Sequence, residues 1–261
     1  MVAALALVVV SAGAAAAGVV WWRWDTARQP KIADAVAVLD RAVADAVVAA
    51  GPEAAVAVSG VVRSTTCEIS VFRRGGVFTA NADLYTDPGG ENGLITAMAQ
   101  RLSGSYPVRR GTAVSGVSPL RADIAGGVEL SVRRISEGWL SVSARTGCSL
   151  GAATAPASAA PGDAGAAGIT ALLARLGTRP ASFVQHRLDC AGGAIVTVAA
   201  VSQPVDSSNL GARLAAAVPA GARRFASGES NRVVYRDGAV SVVVAASDDG
   251  TAVTSQYTTT C

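Results

Sequence analysis

The chain has 261 residues, enough for one large or two small cores, and its 51% apolar content comes mostly from Ala and Val with only 5% aromatic. Its 22 bases nearly balance its 19 acids, Lys31 is the one lysine, and the arginine pairs Arg73-Arg74, Arg109-Arg110, Arg133-Arg134 and Arg223-Arg224 are scattered. Strand neighbours face opposite sides, so such pairs build no basic stripe, which argues against a nucleic-acid partner.

Val2 to Trp22 is an uncharged run that ends in Trp21-Trp22-Arg23-Trp24. Its length suits a hydrocarbon core, and the tryptophans with a following base read as an interfacial belt. Residues 1–24 are therefore expected to be a membrane anchor, with a cleaved signal segment as the competing reading. Arg23, Arg28 and Lys31 follow the run and no base precedes it, which by charge alone places the body in the cytoplasm. The cysteines point the other way and are given precedence here.

Residues 31–50 place Ile32, Val36, Leu39, Val43 and Val47 at spacings of three and four, the pattern of an amphipathic helix stopped by Gly51-Pro52. Its acidic polar face and aliphatic apolar face suit core packing better than a membrane surface. One long strand or two short ones are expected over 56–72 and a returning strand over 77–85, around a turn at Arg73-Arg74-Gly75-Gly76. A loop, Asp87 to Gly93, leads to a helix at 94–102. Four more strands follow at 108–115, 120–125, 128–135 and 139–147.

Residues 151–167 are almost entirely Ala, Pro, Gly, Ser and Thr and read as a linker between a first module, 31–150, and a second, 168–261. The second repeats the plan: a helix at 168–176, strands at 182–190 and 194–202, and a helix at 207–218. The closing stretch Gly238 to Cys261 mirrors Gly126 to Cys148. Each has a Gly-led strand, a turn at Gly138 or Gly250, and a second strand ending in cysteine. Matching Ala222-Arg223-Arg224 to Val108-Arg109-Arg110 gives 39 positions from Arg109 to Cys148 and 38 from Arg223 to Cys261.

The four cysteines form no CxxC motif. The repeat favours disulfides Cys67–Cys148 and Cys190–Cys261, one per module, over four buried reduced thiols. Such bridges persist in oxidising compartments, so the body is expected outside the cytoplasm.

Candidate chemistry is sparse. A triad would need His186, the single imidazole, and alternation puts it on one side of a strand with Val184, Leu188 and Cys190. Asp83, Asp87, Glu91 and Asn92 gather near one loop and raise a weak calcium site or a carboxylate hydrolase as options. Turn formation by Asp87 and helix capping by Glu91 or Asn92 explain them without a ligand. Asp248-Asp249-Gly250 is hairpin-turn chemistry, and Trp139 a half-buried strand residue. No phosphate loop or dinucleotide fingerprint occurs, and no catalytic residue, metal or cofactor is assigned.

The expected fold is α+β: an N-terminal transmembrane helix and two tandem modules, each a mainly antiparallel sheet packed by about two helices in the order α-β-β-α-β-β, with extra strands in the first. In general composition the chain resembles anchored envelope proteins of high-GC bacteria. The expected function is non-catalytic binding or scaffolding of a surface component, an envelope protein or polymer. The alternatives are a carboxylate hydrolase, with Asp87 or Glu91 nearest to a candidate, and a cytoplasmic-facing membrane partner.

Overall fold

The computed structural model describes residues 31–70, 73–114, 116–152, 160 and 163–261. The expected anchor at 1–24 lies outside these residues, as does most of the linker. Among the described residues no helix is long and apolar enough to cross a membrane.

Two antiparallel six-stranded sheets carry the fold, and both modules run α-β-β-α-β-β-β-β. In the first, α1 (Ile32–Ala50) precedes β1 (Ala55–Ser70) and β2 (Arg73–Tyr85). Helix α2 (Glu91–Leu102) then leads into β3 (Val108–Arg110), β4 (Leu120–Ile124), β5 (Val128–Ser136) and β6 (Trp139–Arg145). The second has α3 (Ala164–Arg175), β7 (Pro180–Cys190), β8 (Gly193–Ser202) and α4 (Leu210–Leu214) with a 3-10 turn over Ala215–Ala217. Strands β9 (Arg223–Phe225), β10 (Arg232–Asp237), β11 (Val240–Ala246) and β12 (Val253–Thr259) complete it. The sheet orders correspond, β1-β2-β6-β5-β4-β3 and β7-β8-β12-β11-β10-β9.

Four expectations are corrected. The second module has as many strands as the first, because Val233-Val234-Tyr235 between two glycine turns forms β10. Arg73 to Gly76 make no turn: they belong to β2, where Gly75 pairs with Cys67, Gly76 with Thr66 and Arg73 with Ser70. Gly76 also exchanges both backbone hydrogen bonds with Ser149, which extends the ladder beyond the closing cysteine. Helix α3 starts at Ala164, inside the expected linker, since alanines favour helix once Ile169, Leu172 and Leu173 give it an apolar face. The helix expected at 207–218 shrinks to α4, because Leu210 and Leu214 are its only buried apolar residues.

Cys67 is joined to Cys148 and Cys190 to Cys261, so each bridge ties an early strand of its module to the end of the last. In the first module alternation sorts the sheet cleanly. Phe78, Ala80, Ala82 and Leu84 of β2 face α1 and α2 with Leu130, Val132, Leu140 and Val142. Ile32, Leu39, Val43 and Val47 of α1 are buried as the periodicity requires. Ala42, Ala44, Ala46, Ala49 and Ala50 are buried as well, so more than one face of α1 is covered. The second neighbour is β7: Leu188 and Ile195, from the hairpin of the second module, complete the core of the first.

The modules also meet across β1, whose residues approach β7, β8, β10, β11 and β12. Ala55, Ala57 and Tyr85 pack there on Phe225, Val234 and Val243 of the second sheet. Polar contacts frame this apolar joint. Arg223 reaches both Glu53 and Asp87, Arg236 donates to the Ala54 carbonyl at 2.6 Å, and Ser136 donates to the Ser227 carbonyl at 2.8 Å.

At the centre stands Arg232. Its guanidinium lies 4.2 Å from the Trp139 ring centroid, donates to the Tyr85 hydroxyl at 2.8 Å, and pairs with Glu229 at 3.0 Å. Tyr85 and Trp139 stack 5.9 Å apart, so the cation closes an aromatic pair of the other module. Removing it leaves the phenol and carboxylate unpartnered. Arg232→Ala is expected to cost about 3 kcal/mol in urea unfolding and to red-shift Trp139 emission. Arg232→Lys restores only part of this, because an ammonium lacks the planar fork.

Candidate functional site

The residues singled out near the first loop do not converge. Asp83 accepts a hydrogen bond from the Trp139 indole at 3.0 Å, and Asp87 pairs with Arg223 at 2.7 Å. Asn92 donates to the Gly116 carbonyl at 3.1 Å and accepts from Arg110 at 3.3 Å. Glu91 is buried and accepts from the Gly138 amide at 2.6 Å. Among the described residues no group of three or more His, Cys, Asp or Glu is placed to hold a metal ion. The half-buried ring of His186 lies over Gly60 of β1, in the space a side chain at position 60 would need, and burial lowers its pKa. Asp249 accepts from Ser247 and from the amide and hydroxyl of Thr251, which brings its pKa down to about 2, as a turn residue.

Burial raises the pKa of Asp83 against the opposing pull of Trp139 and Arg232. Glu91 behaves oppositely. Burial works to raise it, but amide hydrogen bonds, that of Gly138 first, and the Arg134 guanidinium 3.7 Å away hold it below the ordinary value of 4.5. A depressed folded pKa gives stability that is present above the unfolded value and is lost as pH falls through the folded one. Glu91→Ala is thus expected to lower stability at pH 7 by about 2 kcal/mol. The parent, unfolded in urea at successive pH values below 4.5, loses stability that the variant does not have to lose.

The face of the first sheet turned away from α1 and α2 forms an open groove of about 1000 Å³. The strand ladders set its floor. One row runs Asn81–Ser143–Ser131–Arg121–Arg109; on one side of it Arg145 stands beside Glu129, and on the other Arg133 stands beside Ser141. Val114 and Ile135 stand exposed on its rim. Four arginines and one glutamate line it. Arg121 pairs with Glu129 at 3.5 Å, and on the same face Arg109 pairs with Asp123 at 2.6 Å, both in the open. Among the described residues, the guanidiniums of Arg133 and Arg145 have neither an ion-pair nor a hydrogen-bond partner.

The second module carries the same rows with different contents. Counting back from Cys148 and Cys261 along the ladders, Phe225–Val234–Val243–Gln256–Ala199 corresponds to Arg109–Arg121–Ser131–Ser143–Asn81. Arg133 corresponds to Ala245 and Arg145 to Thr258. The sequence alignment of Arg223-Arg224 with Arg109-Arg110 is therefore two positions out of register, since Phe225 is the partner of Arg109. In the second module Phe225, Val234 and Val243 of this face pack under Ala55, Ala57 and Tyr85 of the first, beside the buried hydroxyls of Thr197, Ser241 and Thr258. In the first module the same face joins the second at Ala55, Ala57, Tyr85 and Trp139, and the part around Ser131, Arg133 and Arg145 is polar, cationic and open. Sequence reasoning missed the groove because its arginines and serines alternate with core residues and never form a run.

No family model matches the chain, and no curated protein does. Among solved structures, MucB in complex with MucA(peri) is 12% identical, with 84% of this chain and 92% of that chain covered and a TM-score of 0.13. The MucA/MucB complex of Pseudomonas aeruginosa is 11% identical, with 87% and 94% covered and the same TM-score. At that score neither likeness carries an argument about fold or function.

Proposed function

We propose that this is a non-catalytic, membrane-anchored envelope protein whose body lies outside the cytoplasm and binds or scaffolds another surface component. The groove on the first sheet, with its two unpartnered guanidiniums, is the observation that carries the binding part. The run Val2 to Trp22 and the two disulfides support the location. Two bridges and a shared interior hold the surface in one shape, which reduces the ordering cost of association.

Crosslinking of the full chain in its native membrane, followed by identification of attached molecules, is the test. Recovery of one surface component in stoichiometric yield supports the reading, and recovery of none overturns it. Thiol labelling tests the location, since free thiols in the unreduced native protein would return the body to the cytoplasmic side. One observation favours a carboxylate hydrolase as the second reading: Asp83 holds its proton more tightly than an ordinary carboxyl. That shifts the candidate away from Asp87 and Glu91. Turnover abolished by Asp83→Asn with the fold intact would establish it.

A further inference from the structure

We infer that the open face of the first sheet is a docking groove for an extended, acidic polypeptide segment of a partner protein. This rests on the binding reading above and names the partner's chemistry. Three observations carry it.

The first is room. The second sheet covers this face of the first at Ala55, Ala57, Tyr85 and Trp139, which meet Phe225, Val234 and Val243. The rows beside that joint, with Ser131, Arg133 and Arg145, stay open over a groove of about 1000 Å³.

The second is charge. Arg133 and Arg145 are exposed and unpartnered, with the Ser131–Ser143 row between theirs. The paired arginines beside them sit in solvent-exposed ion pairs, which hold little energy against a competing carboxylate. The remaining segments of this chain do not fit: residues 1–30 hold one acid, Asp25, and residues 151–167 hold one, Asp163.

The third is spacing. Arg145 lies on β6 and Arg133 on β5, four positions apart along the strands and one strand apart across them. That separates their backbones by about 14 Å, close to the ~13 Å between residues i and i+4 of an extended chain. Those two residues also point to the same side, so carboxylates at that spacing meet both guanidiniums at once. Val114 and Ile135 on the rim offer apolar contact to the segment's flanks.

The test uses the full chain in nonionic detergent, titrated by fluorescence anisotropy with a labelled peptide of alternating Glu and Thr at physiological salt. Saturable binding is expected, and the Gln–Thr counterpart should bind at least about tenfold more weakly. R133Q/R145Q should weaken the acidic peptide by about tenfold for each guanidinium removed. R41Q/R187Q removes the same charge from exposed sites elsewhere and should leave affinity unchanged. Equal loss in both double variants, absence of peptide binding, or preference for polygalacturonate over the peptide would each overturn the proposal. Failure of the groove and failure of the binding reading separate cleanly. An R133Q/R145Q chain that still crosslinks the same surface component in its membrane overturns the groove alone.

Discussion

Replacing Cys67 and Cys148 together by serine is expected to lower the unfolding free energy by about 4.5 kcal/mol, from the entropy of an 81-residue loop released in the unfolded chain. That is a large part of the stability of an ordinary domain. The second bridge closes 71 residues and has nearly the same entropic value, but its consequence reaches further. Cys190 packs against the core of the first module, beside Leu188. Serine at 190 and 261 should therefore loosen both modules in one transition, with Trp139 emission moving together with far-ultraviolet circular dichroism. Urea unfolding of the oxidised proteins measures both effects. A change below 1 kcal/mol for either pair would mean that the unfolded chain gains no freedom from the cut.

Gly138 offers the second large effect. Its φ is +73°, its amide donates to Glu91 and its carbonyl accepts from Thr86. A Cβ there would collide with the Ala226 carbonyl oxygen of the other module and stand 2.9 Å from that of Thr86. Gly138→Ala thus combines left-handed backbone strain with a clash against rigid backbone from two sides. The expected loss is about 4 kcal/mol, with the joint around Arg232 forced open. The change should expose Trp139 and raise the rate of proteolysis between the modules. Gly250, at the matching turn, meets only the Ser207 hydroxyl at 3.8 Å, so Gly250→Ala carries the backbone strain alone and should cost about 1 kcal/mol.

Most of the secondary structure was legible wherever one face of an element meets the core and the other meets water. Val128, Leu130 and Val132 alternate with Glu129, Ser131 and Arg133, and β5 follows from that pattern alone. The helix at Ile32–Ala50 follows from its spacing of large aliphatics. What failed did so for identifiable reasons. Strand β10 is flanked by arginines and an aspartate that hid its three apolar residues, although β4 occupies the same place in the first module. Gly75 and Gly76 look like a turn because glycine marks turns, whereas here Gly76 gives its hydrogen bonds to Ser149.

The candidate site was barely legible. A ladder brings Arg145 next to Glu129 and Ser143 next to Ser131, and no local pattern announces which strands pair. Strand order β2-β6-β5 puts residues 81, 143 and 131 in one row. The carboxylates that sequence proximity had gathered, Asp83, Asp87 and Glu91, are instead sent to three different partners. Proximity in the chain says little in a sheet whose neighbours come from opposite ends of the module. The buried alanines of α1 held the one overlooked hint of a second packing surface, since small residues on several sides let more than one layer approach closely.

That second surface governs the order in which the molecule can mature. A chain grows from its N-terminus, so Cys148 exists well before Leu188 and Ile195, the two residues that finish the interior around α1. The first half can close its bridge early, yet it must wait with one flank of its helix bare until the later hairpin arrives. Severing the chain in the 151–167 region would make that waiting permanent for one fragment and leave the other without a cover for Phe225, Val234 and Val243. Mixed together, the fragments should recover solubility that neither has alone.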